Sequence, residues 1–313
     1  MFKSLRFTLA LALGALAIPL VGGSVATASS VPNAAPSAAP SCIVSLSPTA
    51  TETLFAIGAG PQVQAVDSDS NYPKHGLPSK RINALNPSVE SVLGICKPTS
   101  TSTSTKPRLV IISYDANSIK EKLTALGVKV VYQDAPTSLA GALAQIRQLG
   151  ALTGHTSKAD ALATSLSRTI STDVKSVPAH ANKKLTVYYE LDPTYYSLTS
   201  TTFVGALMKS LGVVNIADAE STSADAGYPQ LSAEYIVSAN PKLIFLADTV
   251  CCKITPAKVG ARPGFAKLSA VLNGNVINLN DDVASRWGPR LNILMNQITA
   301  AVKKVLADHA VWK

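Results

Sequence analysis

Charge is scarce in this sequence. Only 15% of its 313 residues are Asp, Glu, Lys or Arg, against about 25% in an average soluble chain. With 47% hydrophobic residues, this excludes wholesale disorder, which requires high charge and low apolar content. The basic excess of +9 is scattered, with no Lys/Arg block longer than two residues, and that excludes a dedicated nucleic-acid binder. No G-x-S-x-G elbow and no phosphate-cradling P-loop occur, so a hydrolase or an NTP-driven enzyme has no motif behind it. The four histidines stand outside any ligand spacing: His75 is in a candidate ligand loop, while His155, His180 and His309 fall in helix or linker regions. A zinc or manganese carrier needs several such donors converging on one cleft, and they are missing.

What is present begins with a leader. Lys3 and Arg6 precede an apolar run from Phe7 to Val21, and small residues follow up to Ala28. That order is a secretory signal over residues 1–28, cleaved after Ala28. The competing reading, a membrane anchor, needs about 20 apolar residues without a proline such as Pro19. Cleavage takes Lys3 and Arg6 from the +9 and leaves +7. Residues 29–41 are rich in Ala, Pro and Ser and read as a flexible linker. Cys42 lies too far beyond the apolar run to take a lipid, so the expected product is secreted, soluble and not lipidated. No later run is long enough to span a bilayer.

From Cys42 onward short apolar runs alternate with helical periods. Strands are expected at Ile43–Leu46, Val63–Val66, Leu109–Ser113 and Val128–Tyr132, and again at Leu185–Tyr189, Val213–Ile216, Leu243–Ala247 and Val276–Leu279. Ser47-Pro48 caps the first helix, with Thr49 to Glu52 as a second option, and Gly58 ends it. Between the two series, residues 138–178 carry only helical periodicity, on Leu139, Leu143, Ile146 and Leu149 and on Leu162, Leu166, Ile170 and Val174. The fold class is therefore α/β: two Rossmann-like lobes with parallel sheets, 42–137 and 179–313, joined through helix at 138–178.

The halves repeat one another. Ser88-Val89-Glu90 leads to Pro107-Arg108-Leu109, as Ser232-Ala233-Glu234 leads to Pro241-Lys242-Leu243. From Glu to Pro the first copy is 17 residues and the second 7, and the excess fits the Ser/Thr tract Thr99 to Thr105, read as a surface loop.

In open parallel sheets, ligands bind beyond the carboxyl ends of the strands. The loops there hold Ser47, Pro48, Thr49, Asp67 to Tyr72, Tyr114, Asp115 and Asp134 in the first lobe. In the second they hold Leu191 to Ser200, Gly227 to Pro229, Asp248 to Cys252 and Asp281 to Arg290. Tyr72, Tyr114, Tyr195, Tyr196 and Tyr228 are five of the nine tyrosines, and Trp287 joins them. Aromatics gathered on loop tips fit a broad planar or amphipathic ligand, with ordinary loop packing as the alternative for any one of them.

Four cysteines in a secreted chain allow three pairings. Cys42 begins the first strand and Cys96 ends the helix that returns to the sheet. Both fall at its amino-terminal edge, which favours a Cys42–Cys96 bridge. Cys251 and Cys252 stand at the cleft edge. A strained vicinal bridge, two free thiols, and thiols ligating cobalt or iron are all open for them.

SLSPTATETLFAIGAG (Ser45 to Gly60), DSDSNYP (Asp67 to Pro73), PSVESVLG with PRLVIIS, YPQLSAEYIVSANPKLIFLAD (Tyr228 to Asp248) and ASRWGPR (Ala284 to Arg290) stand in this order. Together they resemble the helical-backbone substrate-binding proteins of ABC importers, the group serving cobalamin, ferric siderophores and haem. The likeness runs from Cys42 to about Leu306 and is nearest to cobalamin-binding members.

The resemblance implies two rigid lobes, a long backbone helix that limits hinge motion, and a ligand between the lobes. It implies that Glu90 and Glu234 dock onto arginines of the permease; the alternative for each is stabilisation of a helix start by the macrodipole. It places Tyr72, Tyr114, Tyr228 and the segment from Trp287 to Arg290 at or near the pocket. Arg290 has a second reading, an ion pair to Asp281 or Asp282. Tyr228 stands where the best-known cobalamin binders carry Trp before Pro, and the Ser/Thr tract before Pro107 is a further departure. The expected function is capture of cobalamin or a related corrinoid, or else of a ferric siderophore or haem, by a monomer with no resident cofactor and no enzymatic activity. A secreted hydrolase or structural protein is the remote alternative.

Overall fold

Four consecutive apolar or small residues, Ile43–Leu46, form β1 with every side chain buried, as a strand covered on both faces requires. Ser47 adopts extended backbone and accepts a hydrogen bond from the Ala50 amide (3.3 Å), so α1, Pro48–Ala56, starts at once with proline in its first turn. A computed structural model describes residues 40–96, 104–179 and 184–312. The leader 1–28, the linker up to residue 39, most of the Ser/Thr tract and His180 lie outside the described residues.

The first lobe continues through β2 (Val63–Asp67), β3 (Arg81–Ile82), α2 (Val89–Leu93), β4 (Leu109–Ile112), α3 (Ile119–Ala125) and β5 (Val130–Tyr132). Its five strands lie in the order β3-β2-β1-β4-β5, all parallel, with Ile43 beside Leu109 and Leu46 beside Ile112. Strand alternation divides the core in two. Ile43, Leu109 and Ile111 pack on Leu54 of α1, while Val44, Val110 and Ile112 face Val92 of α2 and Leu123 of α3. Each such side chain contributes about 1.5–3 kcal/mol by leaving water.

Two helices follow, α4 (Leu139–Thr153) and α5 (Thr156–Lys175). Gly154, at φ +78°, closes α4 in the left-handed region, and the chain folds back on itself. A Cβ on Gly150 would lie 2.2 Å from the Cβ of Ala159, so the absence of a side chain lets the two helices touch. Ala159, Ala163 and Leu166 of α5 belong to the first lobe's core, and Ile170, on the same face, belongs to the second lobe's. The backbone helix is therefore α5, reached through α4 rather than directly from β5.

The second lobe holds β6 (Thr186–Glu190), α6 (Phe203–Ser210), β7 (Val214–Asn215), α7 (Ala233–Ala239), β8 (Leu243–Leu246), α8 (Pro256–Gly260), α9 (Ser269–Leu272), β9 (Val276–Asn278), α10 (Asp281–Ala284) and α11 (Leu291–Ala307). Its parallel strands run in the order β7-β6-β8-β9. Val187, Leu243 and Phe245 pack against α6 and α11, while Tyr188, Ile244 and Leu246 face α7, α8 and α9. Both lobes are thus three-layered, and both sheets fall within a single structural unit. Among the described residues no helix is long and apolar enough to cross a membrane.

Candidate functional site

The loops beyond the carboxyl ends of the two sheets meet. Between them lies a cavity of about 470 Å³. Pro48, Thr49, Ser68, Asp69, Asn71 and Ser113 wall it from the first lobe; Asp282, Ser285, Arg286 and Trp287 wall it from the second. A smaller hollow of about 160 Å³ lies on the second-lobe side, with Tyr228, Leu191, Leu198 and Phe203 in its wall. Ser285, Arg286 and Trp287 border both spaces.

The segment from Asp282 to Arg290 belongs to the second lobe by chain order and is fastened to the first. Arg286 is 7% exposed. Its Nη1 donates to Glu52 Oε1 (2.8 Å) and Asn71 Oδ1 (2.9 Å), and its Nη2 to the Asp69 carbonyl (3.0 Å) and Asp282 Oδ1 (2.5 Å). Arg290 donates to both oxygens of the same Glu52 (2.8 and 2.5 Å). Its alternative partner from sequence, Asp281 or Asp282, is therefore replaced by Glu52, buried on α1. Breaking one side of such a buried pair costs about 3–5 kcal/mol, because the other charge stays behind unpaired. The Trp287 indole N–H donates to Gln145 Oε1 on α4 (2.7 Å), and Gln145 Nε2 donates to the Asp134 carbonyl (2.9 Å), which fixes the plane of the ring.

The turn beyond β2 is organised by Asp67. Its carboxylate accepts the Asp69 amide (2.9 Å) and the Ser70 hydroxyl, and burial holds its pKa above the ordinary Asp value. A second buried acidic group lies at the ends of β6 and β8. Glu190 is bound at both oxygens by Arg262 (2.6 and 2.7 Å), whose guanidinium lies 5.2 Å from the Tyr195 ring centre. Asp248 is fully buried beside them, and burial followed by the Glu190 charge pushes its pKa up to about 7.

Of the residues singled out from sequence, Pro48, Thr49 and Trp287 line the main cavity, and Tyr228 lines the smaller one. Ser47 does not reach either: it is 1% exposed and spends its hydroxyl on the α1 cap. Tyr72 and Arg290 line a separate hollow with Glu52, Phe55 and Pro289, where the guanidinium sits 4.4 Å from the ring centre. Tyr114, Asp115 and Tyr196 lie outside these linings. Tyr114 is exposed one residue beyond Ser113, Asp115 accepts the Lys120 amide, and Tyr196 bridges to Gln230.

Glu90 and Glu234 stand exposed in the first turns of α2 and α7, behind Ser88 and Ser232, which cap through the Ser91 and Tyr235 amides (3.1 and 3.0 Å). Cys42 and Cys96 are joined, with Cα atoms 6.0 Å apart; Cys251 and Cys252 are paired with each other. Among the described residues no group of three or more His, Cys, Asp or Glu is placed to hold a metal ion.

Of the residues that build the site, Glu190 falls outside the loops singled out from sequence, Glu52 enters there only as a capping option, and Arg286 only as part of the loop from Asp281 to Arg290. A single acid among the threonines of α1, and two arginines four apart around Trp287, are the available signals.

This architecture recurs in known proteins. The periplasmic vitamin B12 binding protein BtuF of Vibrio cholerae superposes with a TM-score of 0.69 at 25% identity, over 86% of this chain and 99% of that one. In sequence, the chain is 29% identical over 258 residues to YvrC of Bacillus subtilis, named as an uncharacterized ABC transporter substrate-binding lipoprotein, covering 80% of this chain and 76% of that protein. The word lipoprotein in that name differs from the unlipidated leader expected here. A cobalamin-binding protein of Halobacterium salinarum is 27% identical over 261 residues, covering 80% of this chain and 66% of that protein. A family model described as periplasmic binding protein matches residues 43–283, from the first residue of β1 into α10. Two parallel-sheet lobes facing one cavity, matched along that whole span, make this chain a member of the periplasmic binding protein family.

Proposed function

We propose that the chain is the extracytoplasmic solute-binding protein of an ABC importer, that its solute is cobalamin or a related corrinoid, and that Glu90 and Glu234 seat it on the permease. The observation that carries this reading is the composition of the inter-lobe wall. A corrinoid is a broad macrocycle fringed with amide arms. Trp287 gives that wall an aromatic side chain suited to such a ring, and Ser68, Asn71, Ser113 and Ser285 give it a polar border suited to the fringe. Tyr228 extends the aromatic surface, with the exposed Tyr114 and Tyr196 on neighbouring loops as outer contacts. Pro48 and Thr49 bring the amino end of α1 to the same wall. The cobalamin and vitamin B12 named for the relatives support the same solute class. Titration calorimetry with cyanocobalamin, haemin and a ferric hydroxamate tests it, and saturable heat from the corrinoid is expected.

Docking rests on the matched positions of two carboxylates. Each is the second residue of a short helix that precedes a central strand of its own lobe's sheet, β4 or β8. One exposed carboxylate per lobe suits registration on a two-fold permease through arginines. Glu90→Ala with Glu234→Ala is expected to leave solute affinity intact and to abolish uptake by cells carrying the cognate importer. Undiminished uptake by the double variant contradicts the docking role.

A further inference from the structure

The loop after β8 carries two neighbouring cysteines in an exposed stretch, Val250 to Lys253. Its backbone is tied down on both sides. The Asp281 carboxylate accepts the amides of Val250 (2.9 Å) and Cys251 (2.7 Å), and the Asp248 carbonyl accepts that of Cys252 (3.2 Å). Lys253 leaves the pair at φ +55°, a conformation that a residue with a side chain adopts only when its surroundings demand it. The anchor, Asp281, is followed by Asp282, which lines the main cavity and bonds Arg286 and Asn71. One peptide unit therefore separates the anchor of the cysteine loop from the cavity wall.

The two cysteine pairs differ in kind. Cys42 and Cys96 are buried, 54 residues apart in sequence, with a Cα spacing of 6.0 Å in the middle of the usual disulfide range. Cys251 and Cys252 are exposed, with Cα atoms 3.8 Å apart, below that range, and exposed or strained pairs are the readily reduced ones.

We propose that Cys251–Cys252 is a redox-responsive clamp on the cleft rim, shut as a disulfide and opened by a dithiol reductant. One reductant thiolate attacks one sulfur, forming a mixed disulfide and releasing the other cysteine as a thiolate that takes up a proton. The second reductant thiol closes its own disulfide and frees the remaining cysteine, so two electrons and two protons pass to the protein. Opening loosens the amides of Val250 to Cys252 from Asp281 and Asp248 and disturbs the wall at Asp282. The consequence for capture rests on the corrinoid reading; the opening itself does not.

The test combines alkylation mass spectrometry, hydrogen exchange and calorimetry on the exported protein, before and after mild dithiothreitol. No cysteine is expected to react before reduction. Afterwards two labels are expected, at Cys251 and Cys252, with Cys42–Cys96 intact. Amide exchange over 250–254 is expected to quicken, and the Kd for cyanocobalamin to rise by roughly threefold to tenfold. The double variant Cys251→Ser, Cys252→Ser is expected to show the weaker Kd with or without reductant. Labelling of the untreated protein overturns the clamp, as does reduction that leaves exchange unchanged. Faster exchange with an unchanged Kd overturns its role in capture. Absence of corrinoid binding in both states refutes the solute reading instead, and labelling and exchange still decide the clamp.

Discussion

Glu52 joins the lobes through two guanidiniums. Its partners lie 234 and 238 positions away, a separation at which a single sequence carries no pairing signal. The residue types are readable and the partnership is not, so sequence alone leaves Arg290 between a ligand role and an ion pair to Asp281 or Asp282, where the structure has Glu52. Asp248 shows the same limit. Its place in a cleft loop followed from the strand pattern, whereas its full burial beside Glu190 depends on how β6 and β8 align. That burial has a measurable sign. The folded pKa is about 7 against an ordinary 3.8, so between these values the folded state keeps a proton that the unfolded chain has lost. The stability contribution is full below the unfolded pKa and is lost as pH rises through about 7. Asp248→Asn stays neutral throughout, so its Tm is expected to exceed that of wild type at high pH and to converge with it in acid. A Tm difference independent of pH, followed by calorimetric melts, contradicts this assignment.

At the scale of elements, eight strands were legible because buried parallel strands read as continuous apolar runs; Leu109–Ile112 and Leu243–Leu246 are examples. The ninth, Arg81–Ile82, has two residues and no periodicity to display, and it exists only as an edge beside β2. The periods of α4 and α5 are also readable. What sequence could not give is the closeness of the two helices at Gly150, since glycine within a helix reads first as a loss of propensity. Gly150→Ala would improve that propensity and yet forces a methyl group onto Ala159. It is expected to lower stability by about 1–3 kcal/mol in denaturant unfolding, the usual cost of overpacking. A stabilised variant would show that the hairpin is not close-packed there.

For the whole molecule, two α/β lobes bridged by helix followed from the order of elements, and so did the edge of each sheet at which to look for a site. Tyr114 and Tyr196 show where that reasoning stops. Loop position put them near the cleft, but the path of each loop decides whether a side chain enters the wall, and theirs do not line it. Trp287 does, because Gln145 of α4 holds its ring. The most direct measurement is a calorimetric titration of cyanocobalamin into the protein and into its Trp287→Ala variant. Saturable one-to-one binding at micromolar or lower concentration, weakened at least about tenfold by the substitution, is the predicted result. No heat from the corrinoid, or binding indifferent to Trp287, would contradict capture in the inter-lobe cavity.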